Sequence, residues 1–382
     1  MKILSFTSIR SEYDLLSPLY KLLHEDEDID FRLIVSGAHL SENFGYTKKQ
    51  IQQDGFEILA ELETLINSNT LKSKLKTASI LLQNSIDLVA NFNPDLIIFA
   101  GDREDVFVYG LLGVYLKIPT IHFYGGDHEM DGHEDTVIRH ATSKLATFHF
   151  VSCEEHKQRL IKLGETEKRI YNTGSVALDK FVSHVPISMD KISSILNLNT
   201  PKKFALLIYH PISEENDAFE NILEVLKEKE IFAFVSYPNT DAGNMEIINS
   251  INKYQYDNNF YFFKNLDRDI FLTIFKKSMF IIGNSSAGML EAASIPIPAI
   301  NVGLRQKNRL SGDNVIFCNS IKSDIKQALN EISSYSFIQD LERTKNIYGD
   351  GNSAVKAYDL IKNIDFKSMI AKVEDPLKVE LI

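Results

Sequence analysis

Short unbroken apolar runs alternate with stretches of helical spacing along almost the whole chain. In the first half the runs 2–7, 31–36, 96–100, 120–124 and 148–151 predict strands; in the second, 204–209, 231–236, 260–263, 280–282, 299–302 and 315–318 do. They are continuous rather than alternating, as expected when helices cover both faces of a parallel sheet. Between them, segments such as 13–24, 71–91 and 106–117 repeat apolar residues at helical intervals, and helical stretches are expected between the later strands too. The order predicts α/β architecture built from βαβ units. Residues 183–201, with Pro186 and Pro201 among polar neighbours, read as a linker between two such domains. The tail has helical spacing over 354–364 and little pattern over 367–382. Ligands of open α/β sheets bind beyond the carboxyl ends of the strands, so the site is expected in the cleft between the domains.

A length of 382 residues agrees with two domains. The net charge of −11 argues against a nucleic-acid partner, which needs a basic face. No apolar stretch approaches the ~20 residues of a membrane span, and the N-terminus enters a strand directly, without the pattern of a signal peptide. Cys153 and Cys318 are too few for a disulfide framework or a zinc cage. A cytoplasmic enzyme is expected, without membrane or nucleic-acid partners.

The candidate chemistry gathers at strand ends. The run 96–100 is followed by Gly101-Asp102-Arg103, which delivers a carboxylate to the rim of the sheet; a helix N-cap is the competing role for Asp102. The run 120–124 leads into Gly125-Gly126-Asp127 and a loop rich in acids: Glu129, Asp131, Glu134 and Asp135. Crowded, partly buried carboxylates raise one another's pKa, which lets one act as base and another as acid near neutral pH. A solvated acidic loop is the alternative. His122, His128, His133, His140 and His149 fall in this region, but no His-x-x-x-His helical pair occurs, and no metal is expected. The run 280–282 ends in Gly283-Asn284-Ser285-Ser286-Ala287-Gly288, small residues that let a phosphate approach backbone N–H groups at a helix start. Glu291, five residues after Ser286, would lie about 7.5 Å along that helix, a span that suits a ribose. No Walker loop or Gly-x-Gly-x-x-Gly fingerprint is present. Arg305 and Arg309 follow the next strand and suit a pyrophosphate. Arg10 opens a helix, where a cation opposes the dipole and needs an anionic partner. His210, before Pro211, is held at a strand exit.

In one order along the chain stand Ile9-Arg10-Ser11-Glu12-Tyr13, Ser36-Gly37-Ala38-His39, Gly101-Asp102-Arg103, Gly125-Gly126-Asp127, Ile138-Arg139-His140-Ala141, Gly174-Ser175, His210-Pro211, Pro238-Asn239-Thr240-Asp241-Ala242-Gly243, Gly283-Asn284-Ser285-Ser286 and Gly303-Leu304-Arg305-Gln306. This set resembles the UDP-N-acetylglucosamine 2-epimerase family, and within it the hydrolysing branch of sialic-acid-type pathways. The resemblance implies two Rossmann-like domains in a GT-B-like arrangement, 1–182 completed by a C-terminal helix over 352–382, and 200–350 holding the nucleotide. It implies removal of the proton on sugar carbon 2 with loss of UDP from carbon 1, then hydration of the 2-acetamidoglucal to free N-acetylmannosamine, for sialic acid and surface-polysaccharide synthesis. Carried over by position, Asp102, Asp127, Asp135 and His210 are its catalytic residues. Arg10, Arg139, Asn239, Ser285, Ser286, Gly288, Glu291 and Arg305 are its substrate- and nucleotide-binding ones. The substrate would be a UDP-linked amino sugar, no cofactor is implied because the reaction is redox-neutral, and a homo-oligomer, dimer or tetramer, is expected.

Three positions depart from the family's usual pattern: Asp127 stands for a glutamate, Thr136 for a second acid, and Ser8-Ile9 for a glycine-containing turn. The first two bear on the sugar, leaving a UDP- or GDP-linked 2,4-diacetamido-trideoxyhexose as an alternative substrate. A non-hydrolysing epimerase, a glycosyltransferase and a nucleotide-sugar-binding protein with a degenerate site are the rival functions.

Overall fold

From its second residue onward, the strand β1 (Lys2–Thr7) is buried on both faces, the setting an unbroken apolar run requires. The structure, a computed structural model, describes residues 1–68, 70–129, 134–198, 203–212, 215, 217–238, 244–264, 266–307 and 309–378. Around β1 lie β2 (Asp30–Ser36), β3 (Ile58–Leu62), β4 (Leu96–Ala100), β5 (Thr120–Phe123), β6 (Phe148–Val151) and β7 (Ile170–Asn172). They form one sheet in the order β3-β2-β1-β4-β5-β6-β7, with every neighbouring pair parallel. The strands β8 (Ala205–Ile208), β9 (Ala233–Ser236), β10 (Phe260–Phe263), β11 (Ile281–Gly283), β12 (Ala299–Val302) and β13 (Val315–Cys318) form a second sheet, also wholly parallel, in the order β10-β9-β8-β11-β12-β13. Each sheet reverses its strand order once, between β1 and β4 and between β8 and β11. Those are the switch points at which doubly wound sheets open a crevice for ligands.

The chain divides into two units, Met1–Lys180 with Tyr348–Ile382, and Phe181–Ile347. In the first, the C-terminal helix Ser353–Asn363 lays Ala354, Ala357 and Ile361 into the core beside Tyr13, Leu16 and Tyr20 of the helix Arg10–Glu25. The start of this C-terminal helix is held by Asp179, whose carboxylate accepts from the Ser353 and Ala354 N–H groups at 3.0 and 2.6 Å; a negative charge suits that end of a helix.

The tail beyond it is more ordered than its composition suggests. Arg169 is almost fully buried and donates to the carbonyls of Met369 and Ala371 and to the Glu374 carboxylate. Lys372 reaches the buried Glu165 at 2.6 Å, beside Lys144 and His149. A few buried ion pairs thus do what apolar patterning does elsewhere.

Other departures from the pattern have physical causes. The two strands that it missed, β3 and β7, are the edges of the first sheet, where one-sided cover or short length leaves no continuous apolar run. The expected linker is a working part of the second unit: the helix Met189–Leu196 buries Ile192 in a core with Phe204 and Phe275. Among the described residues, β12 and β13 are joined without a helix, and none of the helices is long and apolar enough to cross a membrane.

Candidate active site

The switch point of the first unit collects the acids. After β4 the chain bends at Gly101–Arg103 before the helix Glu104–Leu116, whose N-cap is Arg103 and not Asp102. The Asp102 side chain is thereby released from capping, and it accepts a hydrogen bond from the Arg139 guanidinium. Arg139 lies on the helix Glu134–Leu145 with its side chain 7% exposed, and its second terminal nitrogen sits 3.0 Å from Asp127 Oδ2. Burial opposes the guanidinium charge, but the Asp102 and Asp127 carboxylates outweigh it and hold the group charged. Asp102 and Asp127 are therefore separated by a buried cation, where the sequence predicts carboxylates crowded against each other.

Asp127 is held from its other side by His156, Nε2 to Oδ1 at 3.2 Å. The approach depends on Gly126, whose φ is +81° and where a Cβ would lie 2.3 Å from the His156 carbonyl oxygen. No residue with a side chain fits there. Asp135 stands one turn before Arg139 on the same helix, and its charge is felt at Arg103 and Lys74. Glu134 takes Lys74 at 2.9 Å. Arg10 opens its helix with an exposed side chain, and its partner is Asp14, one turn on, at 3.7 Å.

Behind these residues lies a second acidic pair. Glu12 accepts from the Ser8 N–H at 2.7 Å, and burial, with the charge of Asp105, pushes its carboxyl well above the usual range. Asp105 is also raised by burial, although Arg103 opposes the shift. An acid in the first turn of a helix reads as ordinary capping, so the sequence carried no sign of this burial.

The second unit places its polar groups at the matching point of its own sheet. Gly283 has φ +136°, and a Cβ there would lie 2.0 Å from the Ile208 carbonyl oxygen, so glycine alone lets β11 end against β8. The next residue, Asn284, is fully buried; it accepts from the His210 N–H at 2.7 Å and donates to the His210 carbonyl at 2.8 Å. This clamp fixes where His210 leaves β8. The Ser285 hydroxyl accepts from the Ala287 N–H at 3.3 Å, while Ser286, the N-cap, makes no side-chain capping bond.

The expected helix is a single turn, Ala287–Leu290, and a Cβ added at Gly288 would lie 3.4 Å from the Ala299 Cβ, an ordinary contact distance. Glu291 follows at its C-terminal end rather than along a continuing helix. Burial pushes its carboxyl up to about 7, against smaller opposing effects of its own backbone N–H and of Arg309, and Oε2 is buried with no hydrogen-bond partner among the described residues. An acceptor in that condition calls for a donor. Arg305 lies near Tyr209, whose phenol feels its charge. Asn239 lies outside the described residues.

Of the clustered histidines, His122 and His149 are interior partners on β5 and β6, His128 and His140 stack on each other 5.5 Å apart, and His133 lies outside the described residues. Among the described residues no group of three or more His, Cys, Asp or Glu side chains is arranged to hold a metal. From sequence, His122 stands only among the histidines weighed for a metal, Asn284 only within the small-residue turn, and His156 nowhere, since a lone polar residue on an apolar strand or helix signals nothing until its partners are known.

Comparison with known proteins gives a consistent picture. Residues 21–362 match the family described as UDP-N-acetylglucosamine 2-epimerase. A Legionella pneumophila protein named UDP-N,N'-diacetylbacillosamine 2-epimerase (hydrolyzing) is 32% identical over 97% of both chains. The Escherichia coli polysialic acid biosynthesis protein P7 is 29% identical, covering 95% of this chain and 94% of its own. The crystal structure of a Neisseria meningitidis UDP-GlcNAc 2-epimerase bound to UDP-GlcNAc matches the fold with a TM-score of 0.78, at 18% identity, over 95% of this chain and all of that one.

Proposed function

Because the chain belongs to the UDP-N-acetylglucosamine 2-epimerase family, we propose that it converts UDP-N-acetylglucosamine to UDP and N-acetylmannosamine through a 2-acetamidoglucal. Its class, a nucleotide-sugar 2-epimerase of the hydrolysing kind, is the premise; the sugar and the residue roles are the proposal.

In this reading Asp102 takes the proton from carbon 2. A carboxylate is a weak base and a carbon-2 proton is feebly acidic, so abstraction must run nearly in step with departure of UDP. Asp127, held by Arg139 and His156, and Asp135 serve the later proton transfers, with His210 completing the set. Arg139 orders the acids from behind as well as charging their surroundings. Arg10, Asn239, Ser285, Ser286, Gly288 and Arg305 bind the nucleotide diphosphate, and the unpaired Glu291 oxygen accepts from ribose hydroxyls. Stabilising the departing diphosphate is the larger electrostatic contribution.

The observation that carries the reading is the Asp102–Arg139–Asp127 array at the carboxyl end of β4 and β5. An anionic base and a second, separately held carboxylate on one rigid frame suit a reaction that first removes and later returns a proton.

A second substrate is favoured by a specific observation. The Legionella relative is named for a UDP-linked diacetylbacillosamine, a 2,4-diacetamido-trideoxyhexose, and Asp127 is a methylene shorter than the residue usual at its position. The E. coli relative, named for polysialic acid, supports the N-acetylglucosamine reading.

Incubation with both nucleotide sugars in deuterated water, followed by NMR, separates the possibilities. Free sugar with deuterium at carbon 2 and released UDP supports hydrolysing epimerisation, and the preferred substrate identifies the sugar. An epimerised nucleotide sugar, or a product without deuterium, overturns the reading.

A further inference from the structure

The Asp102–Arg139 pair joins a bend after β4 to a helix after β5, and one residue touches both supports. His122, on β5, is fully buried. Its Nε2 lies 2.8 Å from the Gly101 carbonyl oxygen, immediately before Asp102. Its Nδ1 lies 3.0 Å from the Ser143 hydroxyl, one turn beyond Arg139 on the same helix, and Ser143 Oγ is also 3.0 Å from the Arg139 carbonyl.

We propose that His122 is a positioning residue that ties the Gly101–Asp102 bend to the helix bearing Arg139, and so sets the spacing of Asp102 and Arg139 on which proton removal depends. The inference rests on the proposed reaction for its kinetic consequence, but its geometry stands apart from it.

A carbonyl only accepts, so Nε2 must carry a proton and donate to Gly101. Ser143 has one hydroxyl hydrogen, which either Nδ1 or the Arg139 carbonyl can take. Burial, which pushes the ring's pKa down to about 3, keeps the imidazole neutral and so assigns that hydrogen to Nδ1. A neutral, buried ring with both nitrogens engaged is suited to holding two elements in register. Space around it is limited: a Cβ added at Gly125 would fall 3.1 Å from Nδ1 and 3.0 Å from the Ser143 hydroxyl. Phe99 closes another side, its ring 5.5 Å from the imidazole.

His122→Gln and His122→Asn divide the two contacts. A glutamine amide nitrogen reaches the place of Nε2 and keeps the donor to Gly101; an asparagine reaches only the place of Nδ1. We expect H122N to lower kcat on the order of 100-fold, the effect of a small misplacement of reacting groups, with KM for the nucleotide sugar within about twofold. H122Q keeps the Gly101 donor but gives up the acceptor for Ser143, so it also cuts the tie and is expected to lower kcat about tenfold or more, again with KM within about twofold. Crystal structures of both variants should show the Asp102–Arg139 contact displaced.

Wild-type kcat in either variant, or a structure of either with that contact intact, overturns the proposal. If H122N fails to fold, kcat and the contact in H122Q decide alone. If the wild-type protein turns over neither nucleotide sugar, the proposed reaction fails, while the two structures still judge the role of His122.

Discussion

Replacing Glu291 by glutamine removes a charge that the second unit holds at a cost. Burial raises this carboxyl from an ordinary 4.5 to about 7. At about 1.4 kcal/mol for each tenfold change in proton affinity, keeping it ionised costs about 3 kcal/mol. The unfolded chain loses this proton near 4.5 and the folded one near 7, so folding stability declines as pH rises between those values and levels off above. E291Q should abolish that decline. A nucleotide whose ribose hydroxyls donate to the ionised carboxylate draws the proton off on binding. UDP affinity should then rise about tenfold from pH 6 to pH 8, the change in the ionised fraction of the free protein. The phosphate of UDP titrates in the same range, near ~6, and E291Q is the control that isolates the carboxyl. Calorimetry in two buffers of different ionisation enthalpy should find nearly one more proton released at pH 6 by wild type than by E291Q. At pH 8 the variant should bind about 10- to 100-fold more weakly, the loss of hydrogen bonds to a charged acceptor. Equal pH slopes and equal proton release in the two proteins would refute both the titration and the ribose contact.

Asp102→Asn should lower carbon-2 deuterium exchange at least ~100-fold, the usual reach of a general base, with UDP affinity unchanged by calorimetry; exchange at the wild-type rate would remove Asp102 from the role of base. Glu165 is raised by burial, but His149, Lys372 and Lys144 outweigh this and pull it down to about 2. Its folded value lies below its unfolded one, so the stability it contributes is present above about 4.5 and is lost as pH falls toward 2. Glu165→Gln should cost about 3–5 kcal/mol at pH 7 and flatten the acid limb of a denaturation profile; an unchanged limb would show that the cluster does not act through this charge. Gly126→Ala places a Cβ 2.3 Å from the His156 carbonyl oxygen at a φ of +81°. It should lower stability by about 1–3 kcal/mol and kcat more than KM, and a variant with wild-type melting and turnover would contradict the tight fit.

The parts of this molecule that could be read in advance are those with local signatures. Buried parallel strands announce themselves as apolar runs, and β1, β4, β6, β10, β12 and β13 fall within the expected bounds. Asp102, Asp127, His210 and Ser285 could be singled out because each follows such a run directly, where open sheets present ligand-binding groups. Arg139 could not be placed between two carboxylates from sequence, because its burial depends on a bend, a glycine turn and a helix from separate segments coming together. The same holds for His122, held by a backbone carbonyl and a serine of two other segments, and for Asn284, whose partners are backbone groups that leave no mark in composition. At Glu291 the strand and turn are legible but the continuing helix is absent: the chain passes from one α-turn into a 3-10 turn, Ala292–Ser294, and nothing in the sequence marks the carboxyl oxygen left without a partner there. The edge strands of the first sheet, β3 and β7, and the ion-paired tail escaped because neither depends on a run of apolar residues.

The return of the helix Ser353–Asn363 to the first unit has a consequence for biosynthesis. During translation, the first 180 residues leave the ribosome lacking Ala354, Ala357, Ile361 and Phe366, which fill their core in the finished protein. The second unit, an uninterrupted stretch from Phe181 to Ile347, meets no such delay. Nascent chains stalled short of residue 353 should therefore carry an unfinished first unit, with apolar surface on the helix Arg10–Glu25 open to chaperones.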